Sequence, residues 1–122
     1  MFKGLRTAIY YAPDIEATKL WYTKIMGVAP YFDEPFYVGF NIGGYELGLI
    51  PDAPAPSNPP SGVIVYWDVT DSHTALKHLL DNGASLREDI QDVGGGILVA
   101  TVIDPFGNIF GIIEMPDNQK AH

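Results

Sequence analysis

Histidine is the side chain best suited to ligate a metal or move a proton near neutral pH, and this chain has three: His73, His78 and His122. The first two lie in "TDSHTALKHLLDNG", which has helical spacing, so their five-residue separation turns them about 140° apart around the axis. They cannot converge on one ion. His122 ends the chain in a polar tail with Lys120, and this tail is expected to be unstructured. Cysteine is absent, which removes disulfides, thiolate metal sites and cysteine nucleophiles together. Ser72 beside His73 at a helix start reads as capping chemistry rather than as part of a nucleophilic triad. The stretches "GGYELG" and "VGGGIL" lack the G-x-G-x-x-G and G-x-x-x-x-G-K spacings that cradle a phosphate, and "VGGGI" reads as a hairpin turn.

Charge narrows the partners. A net charge of -8 and a pI near 4.5 exclude nucleic acid, because phosphate binding needs a basic surface that displaces counterions. The acidity serves either simple solubility or the steering of a cationic ligand. With 122 residues and 47% hydrophobic side chains, the chain has the size and apolar content of one globular domain. No stretch approaches the roughly 20 apolar residues of a membrane span. The N-terminus "MFKGLRTAIYYAPD" has no long apolar run after its basic residues, so a cytoplasmic protein without membrane contact is expected.

One order of elements is written twice. "LRTAIYYA" is a β-rich run; "PDIEATKLWYTKIMG" follows as a helix that Asp14 can cap and Gly27 can end, with Ala17, Leu20, Trp21 and Ile25 as its buried stripe. Strands are expected at residues 29–32, in "PFYVGFNI" and in "YELGLIP". The second half repeats this with "GVIVYWDV" as a strand. Its helix, "TDSHTALKHLLDNG", is capped by Thr70 or Asp71 and stopped by Gly83, with Ala75, Leu76, Leu79 and Leu80 inward. Strands then come at "SLREDIQDV", "GGILVATVI" and "GNIFGIIEM", the run "REDIQD" being a solvated edge. Each half is β-α-β-β-β. The expected organisation is module 1 over residues 1–50, a linker over 51–62, module 2 over 63–115 and a short tail over 116–122, all in one domain. The linker holds five prolines and can be neither helix nor central strand.

The paired β-α-β-β-β plan resembles the vicinal oxygen chelate superfamily, which includes glyoxalase I, fosfomycin-resistance proteins, extradiol dioxygenases and bleomycin-resistance proteins. The motif "VIDPFGNIFGI" before the last strand carries the resemblance, with support from "YYAPDIEATKLWYTKIMG". It implies an α+β fold with two tandem modules whose curved mixed sheets surround a cleft, and a homodimer. It also implies metal ligands on the first and last strand of each module in the metal-using members. The first-strand ligand stands seven residues before the aspartate that starts the helix, which gives Thr7 and Ile64 here. The last-strand glutamate stands four residues after the turn glycine, which gives Gly48 and Gly111. Neither hydroxyl, alkyl nor hydrogen suits a divalent ion that wants imidazole or carboxylate. A register one residue away would bring Glu46 or Glu114 toward a slot.

Strand alternation then projects the remaining side chains. With Thr7 inward, Ile9 and Tyr11 follow; with Ile64 inward, Tyr66 and Asp68 follow. Gly48 brings Glu46 and Ile50, and Gly111 brings Ile109 and Ile113. Tyr37, Gly39 and Asn41 face either the cleft or solvent. The candidate ligand-binding set is thus Thr7, Ile9, Tyr11, Tyr37, Asn41, Glu46, Gly48, Tyr66, Asp68, Gly111 and Ile113. The two glycines either make room for a ligand or mark close backbone packing, and Tyr11 and Tyr66 either line a pocket or fill a closed core. The expected function is binding of a small organic molecule in an aromatic, acidic cleft, with no metal and no cofactor. The alternative is a glyoxalase-like lyase or isomerase, or a dioxygenase-related enzyme, with Glu46 or Asp68 as a general base whose pKa burial has raised. Tyr11 or Tyr66 would then donate to a developing enolate. A structural module with a filled cleft is the third possibility.

Overall fold

The computed structural model describes residues 1–117. Lys120 and His122, expected in an unstructured tail, lie outside the described residues. The chain divides into two compact units, residues 1–55 and 56–122, and the division falls inside the proline-rich stretch, which carries no helix or strand. Each unit has the order β-α-β-β-β, as expected for this α+β class.

In the first unit, β1 (Thr7–Tyr11) leads into α1 (Ile15–Met26). The helix starts because the Asp14 carboxylate accepts the Ala17 N–H at 3.1 Å, and it ends at Gly27, whose φ of 73° suits a residue without a side chain. Three strands follow: β2 (Phe32–Glu34), β3 (Tyr37–Ile42) and β4 (Tyr45–Ile50). They pair in the order β1-β4-β3-β2, with β1 parallel to β4 and the other pairs antiparallel. Helix α1 packs on β3 and β4. Alternation sends Tyr10, Val38, Phe40, Leu47 and Leu49 to the helix side, where all are buried with Tyr22 and Thr18 of the helix. The Tyr10 and Tyr22 rings lie 5.6 Å apart. The helical stripe differs from the expected one. Thr18 and Tyr22 are its buried centre, and Leu20 is 68% exposed, because the stripe runs through 18, 22 and 25 rather than 17 and 20.

The second unit repeats the plan with β5 (Tyr66–Asp68), α2 (Ser72–Asp81), β6 (Ser85–Asp92), β7 (Leu98–Ile103) and β8 (Ile109–Glu114), in the order β5-β8-β7-β6. Asp71 rather than Thr70 caps α2, accepting the Thr74 N–H at 3.1 Å. At the other end Gly83, with φ of 99°, bonds back to Leu80 while Ala84 bonds back to Leu79, the paired bonds of a Schellman stop. Leu76, Leu79, Ala100, Val102, Phe110 and Ile112 form the core, and Leu80 stays 38% exposed. β6 is an edge strand with most of its side chains in solvent, as "REDIQD" suggested. The Asp104–Asn108 turn is a closed polar knot. Asp104 Oδ1 accepts the N–H of Phe106 and of Asn108 at 2.9 and 2.8 Å, and its Oδ2 accepts from the Asn108 amide at 2.9 Å.

Candidate functional site

Register fixes which side chains share the helix-free face of the first sheet. Thr7 pairs with Glu46, and Glu46 with Asn41; Ile9 pairs with Gly48, and Gly48 with Gly39, which pairs with Phe32; Tyr11 pairs with Ile50, and Tyr37 with Glu34. Seven of the expected residues, Thr7, Ile9, Tyr11, Tyr37, Asn41, Glu46 and Gly48, therefore stand on one face of one sheet. Tyr66, Asp68, Gly111 and Ile113 stand on the corresponding face of the second unit.

Glu46 is the centre of the first face. The Tyr31 hydroxyl donates to its Oε1 and the Tyr37 hydroxyl to its Oε2. Arg6 Nη2 lies 3.9 Å from Oε1, and Arg6 Nη1 donates to Thr7 Oγ1 at 2.9 Å. These two phenolic donors, Tyr31 first, with the Arg6 charge behind them, hold the Glu46 carboxyl below the usual glutamate range against the opposing effect of burial. Burial, reinforced by the bond to Glu46, pushes the Tyr37 hydroxyl up to about 12, and the bond to Glu46 raises Tyr31 as well. A base poised to take a proton would need the opposite shift. Asn41 serves the turn after β3, its Oδ1 accepting the Gly44 N–H at 2.9 Å.

The glycines that take the place of expected ligands are covered by tyrosines. A Cβ on Gly48 would meet the Tyr37 hydroxyl at 2.5 Å and Ile9 Cδ1 at 2.7 Å. A Cβ on Gly111 would meet the Tyr66 ring at 2.7 Å and the Val65 carbonyl oxygen at 2.8 Å. The room next to each glycine is thus taken by a ring of the same unit. These residues do not fit a divalent ion, since Thr7 accepts from Arg6 and neither glycine has space for a carboxylate. Glu114 faces the other way, its carboxylate accepting the Ser72 N–H at 2.6 Å at the start of α2. Among the described residues no three histidine, aspartate or glutamate side chains are grouped to hold a metal.

Two open grooves share Tyr31 in their linings, and Glu46 lines the second. One, of about 430 Å³, is lined by Tyr31, Phe32, Phe36, Tyr37 and Ile50. The other, of about 390 Å³, is lined by Arg6, Tyr31, Asn41, Gly44, Tyr45 and Glu46. Sequence reasoning missed Tyr31, Arg6, Phe32 and Phe36. The available signal was chemical: a carboxylate placed on a sheet face requires donors, and the phenols of its own module are the nearest suitable ones. In the second unit Tyr66 is 41% exposed and Asp68 is exposed at the end of β5.

Among the described residues no helix is long and apolar enough to cross a membrane. Solved structures share the fold. A glyoxalase-related enzyme from Fulvimarina pelagi matches with a TM-score of 0.74 at 21% identity, over 94% of this chain and 90% of the other. A glyoxalase/bleomycin resistance protein/dioxygenase family enzyme from Burkholderia phytofirmans PsJN matches with a TM-score of 0.75 at 16% identity, over 93% and 100%. Lactoylglutathione lyase from Agrobacterium tumefaciens matches with a TM-score of 0.71 at 19% identity, over 93% and 95%. No curated protein matches significantly. The sequence model of one family runs through both units, over residues 4–112, and on that match the chain belongs to the Glyoxalase/Bleomycin resistance protein/Dioxygenase superfamily.

Proposed function

We propose that this chain binds a small organic molecule on the aromatic face of its first unit, without a metal at the positions where the superfamily resemblance puts one. The observation behind this reading is the Tyr31–Glu46–Tyr37 clamp with its two flanking grooves, each within the size range of small-molecule sites. The family match across both units supports treating them as halves of one domain. A homodimer belongs to the same reading, because pairing between copies would cover sheet edges other than the charged β6. Turnover with Glu46 as general base is disfavoured, since its hydrogen bonds stabilise the ionised form and make it a weaker base. Asp68 is exposed at the end of β5.

Mass spectrometry of the purified native protein should show a retained small molecule, and the retained mass should be lost in Phe36→Ala. Elemental analysis paired with a methylglyoxal–glutathione assay supplies the opposing result. Stoichiometric zinc, nickel, iron or manganese accompanied by turnover would overturn the proposal.

A further inference from the structure

The groove formed by Tyr31, Phe32, Phe36 and Tyr37 has a composition that selects among small molecules. Phe32 stands edge-on to both of its neighbours, 6.1 Å and 70° from Phe36 and 6.0 Å and 69° from Tyr37. The rings therefore present differently tilted surfaces instead of one stacking slot. Two of them, Tyr31 and Tyr37, donate their hydroxyl protons to Glu46, which places a carboxylate at the hydroxyl ends of both rings. Donation to an anion also moves electron density into a phenol ring and strengthens its attraction for a cation. Glu34 pairs with Tyr37 across β2 and β3 and so adds a second carboxylate to this face.

Among the described residues no positive side chain lines this groove. Arg6 lines the other one together with Glu46, with Nη2 3.9 Å from Glu46 Oε1. Lys19 is bound to Glu16 and Asp33, and Asp33 alternates to the opposite face from Glu34. From this arrangement we infer that the groove takes an organic cation of the tertiary or quaternary ammonium type, held by the four rings, with Glu46 acting through the two phenols bonded to it. An alkylated nitrogen suits the site better than a primary amine, because the groove is lined by aromatic rings and Ile50 and its lining offers no carboxylate to accept N–H bonds. A bare metal ion does not suit it, since hard cations need an oxygen cage. This assignment rests on the small-molecule reading of the same face.

Calorimetric titration of the full chain with choline, and with the uncharged isostere in which carbon replaces nitrogen, tests the assignment. Choline is expected to bind at least about tenfold tighter than the isostere, the scale of a partly desolvated cation–π contact added to a charge. Phe36→Ala removes a ring that is 66% exposed, so the fold is kept while choline affinity falls. Glu46→Gln should weaken choline and leave the isostere nearly unchanged. Equal affinity for choline and isostere would overturn the cation assignment and leave small-molecule binding standing. Choline affinity unchanged by Phe36→Ala would overturn it too. Failure of choline, the isostere and a neutral aromatic probe such as phenol to perturb the Phe36 and Tyr37 ring resonances would remove both readings.

Discussion

Glu46 takes a phenolic hydroxyl on each of its oxygens, and that pairing ties its protonation to folding. The folded carboxyl lies below the ordinary value of 4.5, so the unfolded chain binds this proton more readily. The stabilisation is present in full above about pH 4.5 and is lost as pH falls through the lowered folded value. Tyr37 runs the opposite way. Its folded value of about 12 lies above the ordinary 10.0, so its contribution is present below pH 10 and lost as pH rises toward 12. Denaturant unfolding across the acid range should therefore show a shallower loss of stability in Glu46→Gln than in the parent. In alkaline titration followed by phenolate absorbance, Tyr37→Phe should lack one late-titrating tyrosine. An unchanged acid limb in Glu46→Gln would mean that the clamp does not hold in solution.

At the level of strands, β4 and β8 occupy matching places in the two units, and each carries a glycine under a tyrosine. The neighbours differ in kind. Gly48 faces the ends of two side chains, Tyr37 and Ile9, which can move, whereas Gly111 also faces the backbone carbonyl of Val65, which accepts its own N–H at 2.9 Å. Gly111→Ala must push the β5 entry aside and should cost about 1–3 kcal/mol in denaturant unfolding, more than Gly48→Ala. Equal costs would show that the tyrosine rings alone set the tolerance. The repeat itself was legible because its punctuation is local: Asp14, Asp71, Gly27 and Gly83 act through hydrogen bonds and positive φ within a few residues. Strand extent was less so. The strand expected at residues 29–32 lies at Phe32–Glu34, and "GVIVYWDV" yields a ladder only at Tyr66–Asp68, because pairing length depends on the partner strand. Apolarity alone puts Leu20 inward, yet the helix buries Thr18, whose hydroxyl bonds to the Asp14 carbonyl at 2.7 Å and so tolerates the core.

For the whole chain, the net charge of -8 was compatible with bare solubility or with steering of a cation, and composition alone does not separate the two. The first-unit face was legible from alternation, since period two follows from the pleat once one inward residue is known. The carboxylate's partners were not, because Tyr31 reaches Glu46 from outside any strand, in the segment before β2. Once a carboxylate is bonded to two of the groove's phenols, the overall charge acquires a consequence. An acidic molecule concentrates cations around itself and raises their rate of capture, and salt weakens this over a Debye length of about 10 Å at 0.1 M. Stopped-flow association of a fluorescent trimethylammonium probe should slow by at least about threefold between roughly 0.02 and 0.5 M salt. An uncharged analogue of the same dye should show little change. A salt-independent rate for the cation would return the acidity to solubility alone, and would leave any selectivity for ammonium to the rings and Glu46 at short range.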